Sequence, residues 1–362
     1  MFLWVSAWLA LYVSGFACAT NEPPARTIAT PAPHIALLLP LKSAIFGTAA
    51  DALRQGFLAA AEQEMSRPGR LPVRVYSCFD ESREIVALYR QAIASGARAV
   101  VGPLTRSGVG ALSATEEISV PTIALNVVEG SSADQLYFFG MALEEEARQI
   151  AQLVRRQGLH RAIVITTRVQ LDQRLQFAFE EEWQSLGGTI LQEIEFKKDP
   201  TLFADIAEMP DTAVFLAADA GNARLIRPYL PNKLPIYATS QVFVGNSDTL
   251  INYDLNGIRF VDMPWLLQAE HQAVMIYPRP VTPLSVVNER LYALGIDAFR
   301  LIQLLLAGKI EAALPLDGVS GQIELYDHTF QRTAVPAMFS QGLALPRQAV
   351  PQAVSGTHSA KP

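Results

Sequence analysis

The sequence predicts an α/β fold built from two Rossmann-like lobes. Short apolar runs alternate with amphipathic helical patterns, and this order is typical of parallel strands covered by helices on both faces. The alternation occurs twice along the chain. The chain of 362 residues is also too long for one ordinary hydrophobic core. Together these observations predict two doubly wound lobes of similar size.

The first series opens with the run "HIALLLPL" at 34–41. It is continuously apolar, as expected of a strand that is buried on both faces. A helical pattern follows, and the alternation then continues; the helix at 81–96 stops at Gly96, a typical C-cap. The remaining elements are predicted as a helix at 47–64, a strand at 72–79, a helix at 81–96, a strand at 98–104, a helix at 107–118 and a strand at 121–126.

The second series repeats the pattern before a long helix and a final β segment. A helix at 286–307 is predicted to bury the stripe Val287, Leu291, Leu294, Ala298, Leu301 and Leu305. The segment 318–342 is predicted to be a β-hairpin with Asp327 and His328 near its turn. The preceding elements are predicted as helices at 144–158 and 171–186 and strands at 161–166, 189–196, 212–218, 235–240 and 257–263.

These patterns predict how the chain is divided between the lobes. Residues 34–142 and about 285–342 are assigned to the first lobe, and residues 143–284 to the second. The last stretch, 343–362, has little apolar periodicity and is predicted to be a disordered tail.

The N-terminus predicts export and lipidation. Residues 1–17 are apolar and uncharged, and they have the length of a secretory signal peptide. Cys18 follows small residues at the expected cut, where lipoprotein processing requires a thiol, so we predict that Cys18 is lipidated. Residues 18–33 then form a proline-rich tether. The alternatives are a plain signal peptide cut after Ala17 or Ala19, with Cys18 incidental, or a retained membrane anchor.

Composition excludes several classes of function. The formal charge of −6 and the absence of basic clusters argue against nucleic acid as a partner. Two cysteines in a chain of this length exclude a disulfide scaffold and a cysteine-ligated zinc site. Cys78 stands in an alternating strand pattern and is predicted to be a buried, small apolar side chain.

No arrangement of residues predicts catalysis, and no cofactor or metal is expected. The phosphate-binding, dinucleotide-binding, zinc-protease and nucleophile-elbow motifs are missing from the sequence. The triplet Glu144–Glu146 is interpreted as solvent-exposed helix surface, because consecutive helical positions point in different directions. Negative charge there also suits the start of a helix.

Two lobes behind a signal peptide suggest a fold of the periplasmic binding protein type I kind. Ligands in such folds lie between the lobes, at the carboxyl ends of the strands. The residues before the helix at 107–118 are of interest because backbone N–H groups at a helix N-terminus can bind a carboxylate. The candidate ligand residues after the strands are Ser43, Thr105, Ser107, Asn126 and Gln241.

A second candidate site is an apolar surface for a protein partner. Trp265, Leu266 and Leu267 follow a predicted strand and could form an exposed patch. The alternative is that Trp265 packs over the core of a lobe.

Several longer stretches carry a family resemblance. "VVGPLTRSGVGAL", "GIRFVDMPWLL" and "GVSGQIEL" are similar to the LppC family, and the resemblance extends from residue 34 to about 342. It implies an outer-membrane lipoprotein that faces the periplasm and activates a class A penicillin-binding protein, a peptidoglycan transpeptidase, by protein–protein contact. It implies no catalysis by the activator itself. Longer members carry a helical domain before this fold, whereas here only the tether separates Cys18 from His34.

A different class of function stays open. Looser elements such as "GPL" and "PTIALN" are shared with the amino-acid-binding proteins of ABC transporters. The alternative function is therefore a periplasmic receptor that delivers an amino acid or a small peptide to such a transporter.

Overall fold

The computed structural model describes residues 31–64, 70–115, 117–128 and 133–347. The signal peptide, Cys18, most of the tether and residues 348–362 lie outside these ranges, so the predictions made for them stay predictions. Within the described ranges, no helix has both the length and the apolar character needed to cross a bilayer.

The first half of the chain forms strands and helices in alternation, as predicted. The sequence prediction omitted the last strand of this series, which is only four residues long. The elements are β1 (His34–Leu39), α1 (Gly47–Glu64), β2 (Val73–Ser77), α2 (Glu81–Ala94), β3 (Ala97–Val101), α3 (Arg106–Ser113), β4 (Thr122–Ala124) and β5 (Leu136–Phe139).

The chain then crosses to a second lobe with the same kind of alternation. Its elements are α4 (Leu143–Arg156), β6 (Arg161–Thr166), α5 (Gln170–Ser185), β7 (Thr189–Glu195), β8 (Thr212–Leu216), α6 (Ala220–Ile226), β9 (Ile236–Ala238), α7 (Thr249–Tyr253) and β10 (Ile258–Asp262).

The last part of the chain contributes to both lobes. Its elements are α8 (Pro264–Leu267), α9 (Gln272–Met275), α10 (Val286–Leu306), α11 (Ile310–Ala313), β11 (Leu316–Asp317), β12 (Gln322–Tyr326), β13 (Thr329–Thr333), β14 (Val335–Ser340) and β15 (Leu343–Pro346).

The two sheets repeat one strand order. In the described part of the chain the first sheet runs β2-β1-β3-β4-β5-β13-β12-β11 and the second runs β7-β6-β8-β9-β10-β14-β15. Strands β1 to β5 pair in parallel, and so do β6 to β10. Each lobe is therefore a doubly wound sheet, which confirms the predicted fold class. Ligands of such sheets bind beyond the carboxyl ends of the strands.

The segment 318–342 differs from its prediction. A hairpin does form, with β12 and β13 joined at Asp327 and His328, and both turn residues have positive φ. The chain then leaves the first lobe, because β14 pairs with β10 in the second sheet. Leu343–Pro346, predicted as part of a disordered tail, pairs with β14 as strand β15. The end of the described chain thus belongs to the second sheet.

The core of the first lobe explains the unbroken apolar run of β1. All six residues of β1 are buried. Ile35, Leu37 and Leu39 belong to the cluster that contains α1 and α10, while Ala36 and Leu38 belong to the cluster that contains α2. The strand is therefore covered on both faces, as the sequence predicted.

Helices α1 and α10 approach each other very closely on one face of this sheet. A Cβ atom on Gly56 would lie 1.9 Å from the carbonyl oxygen of Tyr292, and one on Gly295 would lie 2.2 Å from that of Leu53. Glycine at both positions is what allows the two backbones to touch.

The buried face of α10 is less apolar than its predicted stripe. Leu291, Leu294, Ala298 and Leu301 are buried as expected, but Val287 is 59% exposed. The charged residues Arg290 and Asp297 are buried instead. This face of α10 therefore makes polar contacts that an apolar periodicity cannot reveal.

Candidate functional site

Three short segments connect the lobes, and charged side chains lie beside all of them. The first crossing runs from β5 to α4, the second leaves β10 at Met263, and the third is Ala334 between β13 and β14. Arg332 on β13 donates from Nε to the carbonyl of Gly140 at 3.1 Å, which ties the third crossing to the first. Gln149 of α4 adds two hydrogen bonds to the backbone of Ala334, at 2.7 and 3.0 Å.

The second crossing is held by a buried ion pair. Arg290 of α10 donates from Nε to Oδ1 of Asp262 at 3.0 Å and from Nη2 to Oδ2 at 2.6 Å. Nη2 also donates to the carbonyls of Ser240 and Phe243, both at 3.0 Å. These contacts join the first turns of α10 to the carboxyl ends of β9 and β10.

Glu146 is a further charged residue beside the crossings, together with Arg332, Arg290 and Asp262. Its side chain is 7% exposed, and its Oε2 accepts the backbone N–H of Ser240 at 2.8 Å. Burial and then the nearby charge of Asp262 raise the pKa of Glu146, Arg332 and Arg290 oppose the shift, and the net pKa is about 7. A carboxyl group with this pKa exchanges its proton close to neutral pH.

The interpretation of the acidic triplet as solvent-exposed surface is wrong for Glu146. Glu144 pairs with Arg174 at 2.9 Å and Glu145 with Arg148 at 2.7 Å, both on the outside of the lobe. Consecutive positions of α4 do point in different directions, and for Glu146 that direction is inward.

A cavity of about 390 Å³ adjoins these charges. Its walls are largely apolar and include Met141, Leu143, Leu171 and Phe243, while its polar lining includes Glu146, Ser240, Gln241 and Arg290. Val244 and Val287 also line it and are exposed to solvent. The volume lies within the range of small-molecule sites. A smaller cavity of about 70 Å³ also includes Glu146 in its lining, together with Arg332.

Of the five ligand residues predicted from the sequence, the structure places Gln241 in the wall of the large cavity. The other four follow strands of the first sheet, and three make local bonds. Ser43 Oγ accepts the N–H of Phe46 at 3.3 Å, and Thr105 Oγ1 caps α3 by accepting the N–H of Gly108 at 3.1 Å. Asn126 Nδ2 donates to the carbonyl of Leu104 at 3.3 Å. The hydroxyl of Ser107 is exposed, 3.4 Å from that of Thr105.

A carboxylate of the protein itself binds the backbone just before α3. Oε2 of Glu81 accepts the N–H of Thr105 at 2.6 Å, and both carboxylate oxygens accept the N–H of Leu104, at 2.9 and 3.1 Å. Glu81 is buried, and this burial raises the pKa of its carboxyl group. The N–H groups of Leu104 and Thr105 therefore bind this side chain.

The predicted partner patch is not exposed. Trp265 is fully buried in the core of the first lobe, Leu267 is buried, and Leu266 is half-buried against both lobes. The indole N–H of Trp265 donates to Glu289 at 2.5 Å, and the guanidinium of Arg279 lies 3.8 Å from the ring centroid. The apolar stretch after β10 thus serves core packing at the crossing.

Other chemically active groups are few in the described part of the chain. Cys78 is buried, as predicted, and burial raises the pKa of its thiol to about 12. Such a thiol is not a nucleophile at neutral pH. No group of three or more His, Cys, Asp or Glu side chains in the described ranges is placed to hold a metal ion.

Two doubly wound lobes, joined by three crossings beside a cavity, define a protein with the periplasmic binding protein type I fold. Solved structures of this kind are similar along most of the chain. A protein of Chromobacterium violaceum, provisionally named as a branched-chain amino acid ABC transporter, is 36% identical, with a TM-score of 0.74 over 85% of this chain and 100% of that one. Full-length LpoA of Haemophilus influenzae is 23% identical, with a TM-score of 0.72 over 87% of this chain and 58% of that one.

Sequence comparison gives the family. Residues 27–209 and 205–342 match the LppC lipoproteins, and the chain belongs to that family. The penicillin-binding protein activator LpoA of Photobacterium profundum is 28% identical over 330 residues, which cover 80% of this chain and 53% of the relative. The activator LpoA of Haemophilus influenzae is 28% identical over 282 residues, which cover 74% of this chain and 47% of the relative. The chain thus spans about half the length of the curated relatives it matches.

Proposed function

We propose that this chain binds a class A penicillin-binding protein in the periplasm and activates its transpeptidase, without catalysing a reaction itself. The observation that carries the proposal is the match to curated relatives named as penicillin-binding protein activators. The similarity covers 80% and 74% of this chain. An activator of this kind acts only through a higher affinity for the active state of its partner. The effect should therefore saturate with the amount of activator.

An exposed apolar surface supports a protein partner. The loops that follow β1 and β2 lie side by side, since the N–H of Lys42 donates to the carbonyl of Cys78 at 3.1 Å. Ile45, Phe46 and Phe79 expose large apolar side chains there, and the Lys42 ammonium lies 5.4 Å from the Phe79 ring. Exposed aromatic and aliphatic groups next to one another mark interaction surfaces.

The experiment measures peptide crosslinking by the cognate synthase at increasing amounts of the mature chain. We expect crosslinking to rise and then level off. The double variant Ile45→Ser with Phe79→Ser should lower the apparent affinity at least tenfold. A matched control, Leu250→Ser with Tyr253→Ser, removes two exposed apolar groups from the second lobe and should leave activation unchanged. Unchanged crosslinking at saturating protein would reject the function.

We also infer that Cys18 is lipidated and anchors the chain to the outer membrane. The position of Cys18 after a signal-like stretch and membership of a lipoprotein family support this. Mass spectrometry of the N-terminal peptide from the membrane fraction should show a diacylglyceryl-modified cysteine. An unmodified peptide that starts at Ala19 or Thr20 would reject it.

A second candidate function is a periplasmic solute receptor. The similarity at 36% identity to a protein provisionally named as a branched-chain amino acid ABC transporter favours it, because that protein is covered over its full length. The 390 Å³ cavity is a second supporting observation. Calorimetric titration of the mature chain with leucine, isoleucine and valine tests this function independently of any synthase.

A further inference from the structure

We propose that the cavity beside the lobe crossings is a binding site for an apolar α-amino acid, whose ammonium group binds Glu146 and whose carboxylate binds Arg290. This inference rests on the receptor function given above as the second candidate. It does not depend on activation of a synthase.

Arg290 offers the cavity a hydrogen-bond donor that the protein does not use. Its Nε and Nη2 atoms make the bonds to Asp262, Ser240 and Phe243. No hydrogen bond from Nη1 to another described residue is formed, and Arg290 lines the cavity. A guanidinium with one free nitrogen and a fixed position is well suited to bind a carboxylate.

Glu146 offers an acceptor in the same way. Its Oε2 is engaged by the N–H of Ser240, whereas Oε1 accepts no hydrogen bond from the described residues. An incoming ammonium group favours the ionised form of this carboxyl, because opposite charges nearby lower a raised pKa. The cavity therefore presents a free acceptor and a free donor of opposite charge within apolar walls.

Charge balance favours a zwitterion over a singly charged ligand. The buried carboxylates of Glu146 and Asp262 are matched by the guanidinium groups of Arg290 and Arg332. A ligand with one net charge would leave that charge uncompensated in a poorly solvated site, and such burial is costly. A zwitterion adds no net charge, and its apolar side chain can pack against Met141, Leu171 and Phe243.

The start of α3 does not line this cavity, whereas Arg290 does. Glu81 already occupies the backbone N–H groups of Leu104 and Thr105, just before that helix. Arg290 is therefore the cationic donor that the cavity itself offers to a ligand carboxylate.

The test is calorimetric titration of the mature chain with leucine and two truncated analogues. 3-Methylbutylamine lacks the carboxylate and 4-methylpentanoate lacks the ammonium group. We expect leucine to bind at least tenfold more tightly than either analogue. Equal or tighter binding of one analogue would overturn the zwitterion assignment.

Variants locate the site. Val287→Trp fills the cavity from an exposed position and should weaken leucine binding at least tenfold, whereas Val281→Trp, at an exposed position outside the cavity lining, should not. Glu146→Gln should weaken binding of leucine but not of 4-methylpentanoate, a difference that a general loss of structure would not produce. Circular dichroism checks that each variant is folded.

Failure of the proposed binding site and failure of the receptor function give different results. If leucine binds equally well to wild type and Val287→Trp, this site is wrong and the receptor function stands. If leucine, isoleucine, valine and phenylalanine all fail to bind at millimolar concentration, both the site and the receptor function are rejected.

Discussion

The carboxylate of Glu81 accepts the backbone N–H of Thr105, the N-cap residue of α3, at 2.6 Å and thereby ties the start of α3 to α2. The bond joins residues that are 24 positions apart in the sequence. The helix N-terminus that the sequence marks as a ligand site is, for this reason, part of the packing between α2 and α3.

Glu81→Ala should destabilise the fold and open an anion site. Three hydrogen bonds to a buried carboxylate are lost, so we expect the free energy of unfolding to fall by roughly 2–3 kcal/mol in urea denaturation. Sulfate should then raise the melting temperature of this variant more than that of wild type. Glu62→Ala, which removes an exposed carboxylate from α1, is the control and should show no such sulfate effect.

Arg290→Met should be among the most costly substitutions in the chain. It leaves Asp262 buried without its partner, and breaking a buried pair in this way costs about 3–5 kcal/mol. The matched control is Arg90→Met, which removes an exposed pair with Glu117 and should change stability little, because solvent screens that pair. Chemical denaturation measures the free energy of unfolding of both variants. Equal losses of that free energy would contradict the claim that burial makes the Arg290 pair important.

Glu146 should make stability depend on pH near neutrality. Its folded pKa of about 7 lies above its ordinary value of 4.5. The stability associated with the protonated form is therefore complete below pH 4.5 and is lost as the pH rises through 7. The loss is about 3 kcal/mol at most. Glu146→Gln should remove this component, so the difference in unfolding free energy between variant and wild type should change across that pH window.

Gly295→Ala should destabilise the first lobe by pressing α10 away from α1. The new Cβ would lie 2.2 Å from the Leu53 carbonyl, and relief of such overpacking typically costs about 1–3 kcal/mol or more. Gly110→Ala in α3 meets no atom within 4 Å and should be neutral or slightly stabilising. A lower melting temperature for Gly295→Ala alone would confirm the close approach.

Much of the fold could be predicted because local patterns determine it. Continuous apolar runs such as Ile35–Leu39 and the helical stripe of α4 reflect burial directly, and their repeated alternation indicates a parallel sheet covered by helices. The path of the chain after β13 could not be predicted, since nothing local says that β14 joins the other sheet.

The candidate site was largely hidden from the sequence. Arg290 and Asp262 are 28 residues apart, and Glu146 looks like any surface carboxylate in a run of three. Their roles arise only when three crossings bring them together. Gln241 was the exception, because a polar residue after a buried strand is a recognisable signal.

The hydrogen bonds between the crossings have a mechanical consequence. Arg332 and Gln149 tie the first and third crossings to each other, and Arg290 fastens the second to the ends of β9 and β10. Because the first and third crossings are bonded to each other, we expect them to move together as one hinge. A molecule bound in the adjoining cavity would then favour one angle between the lobes.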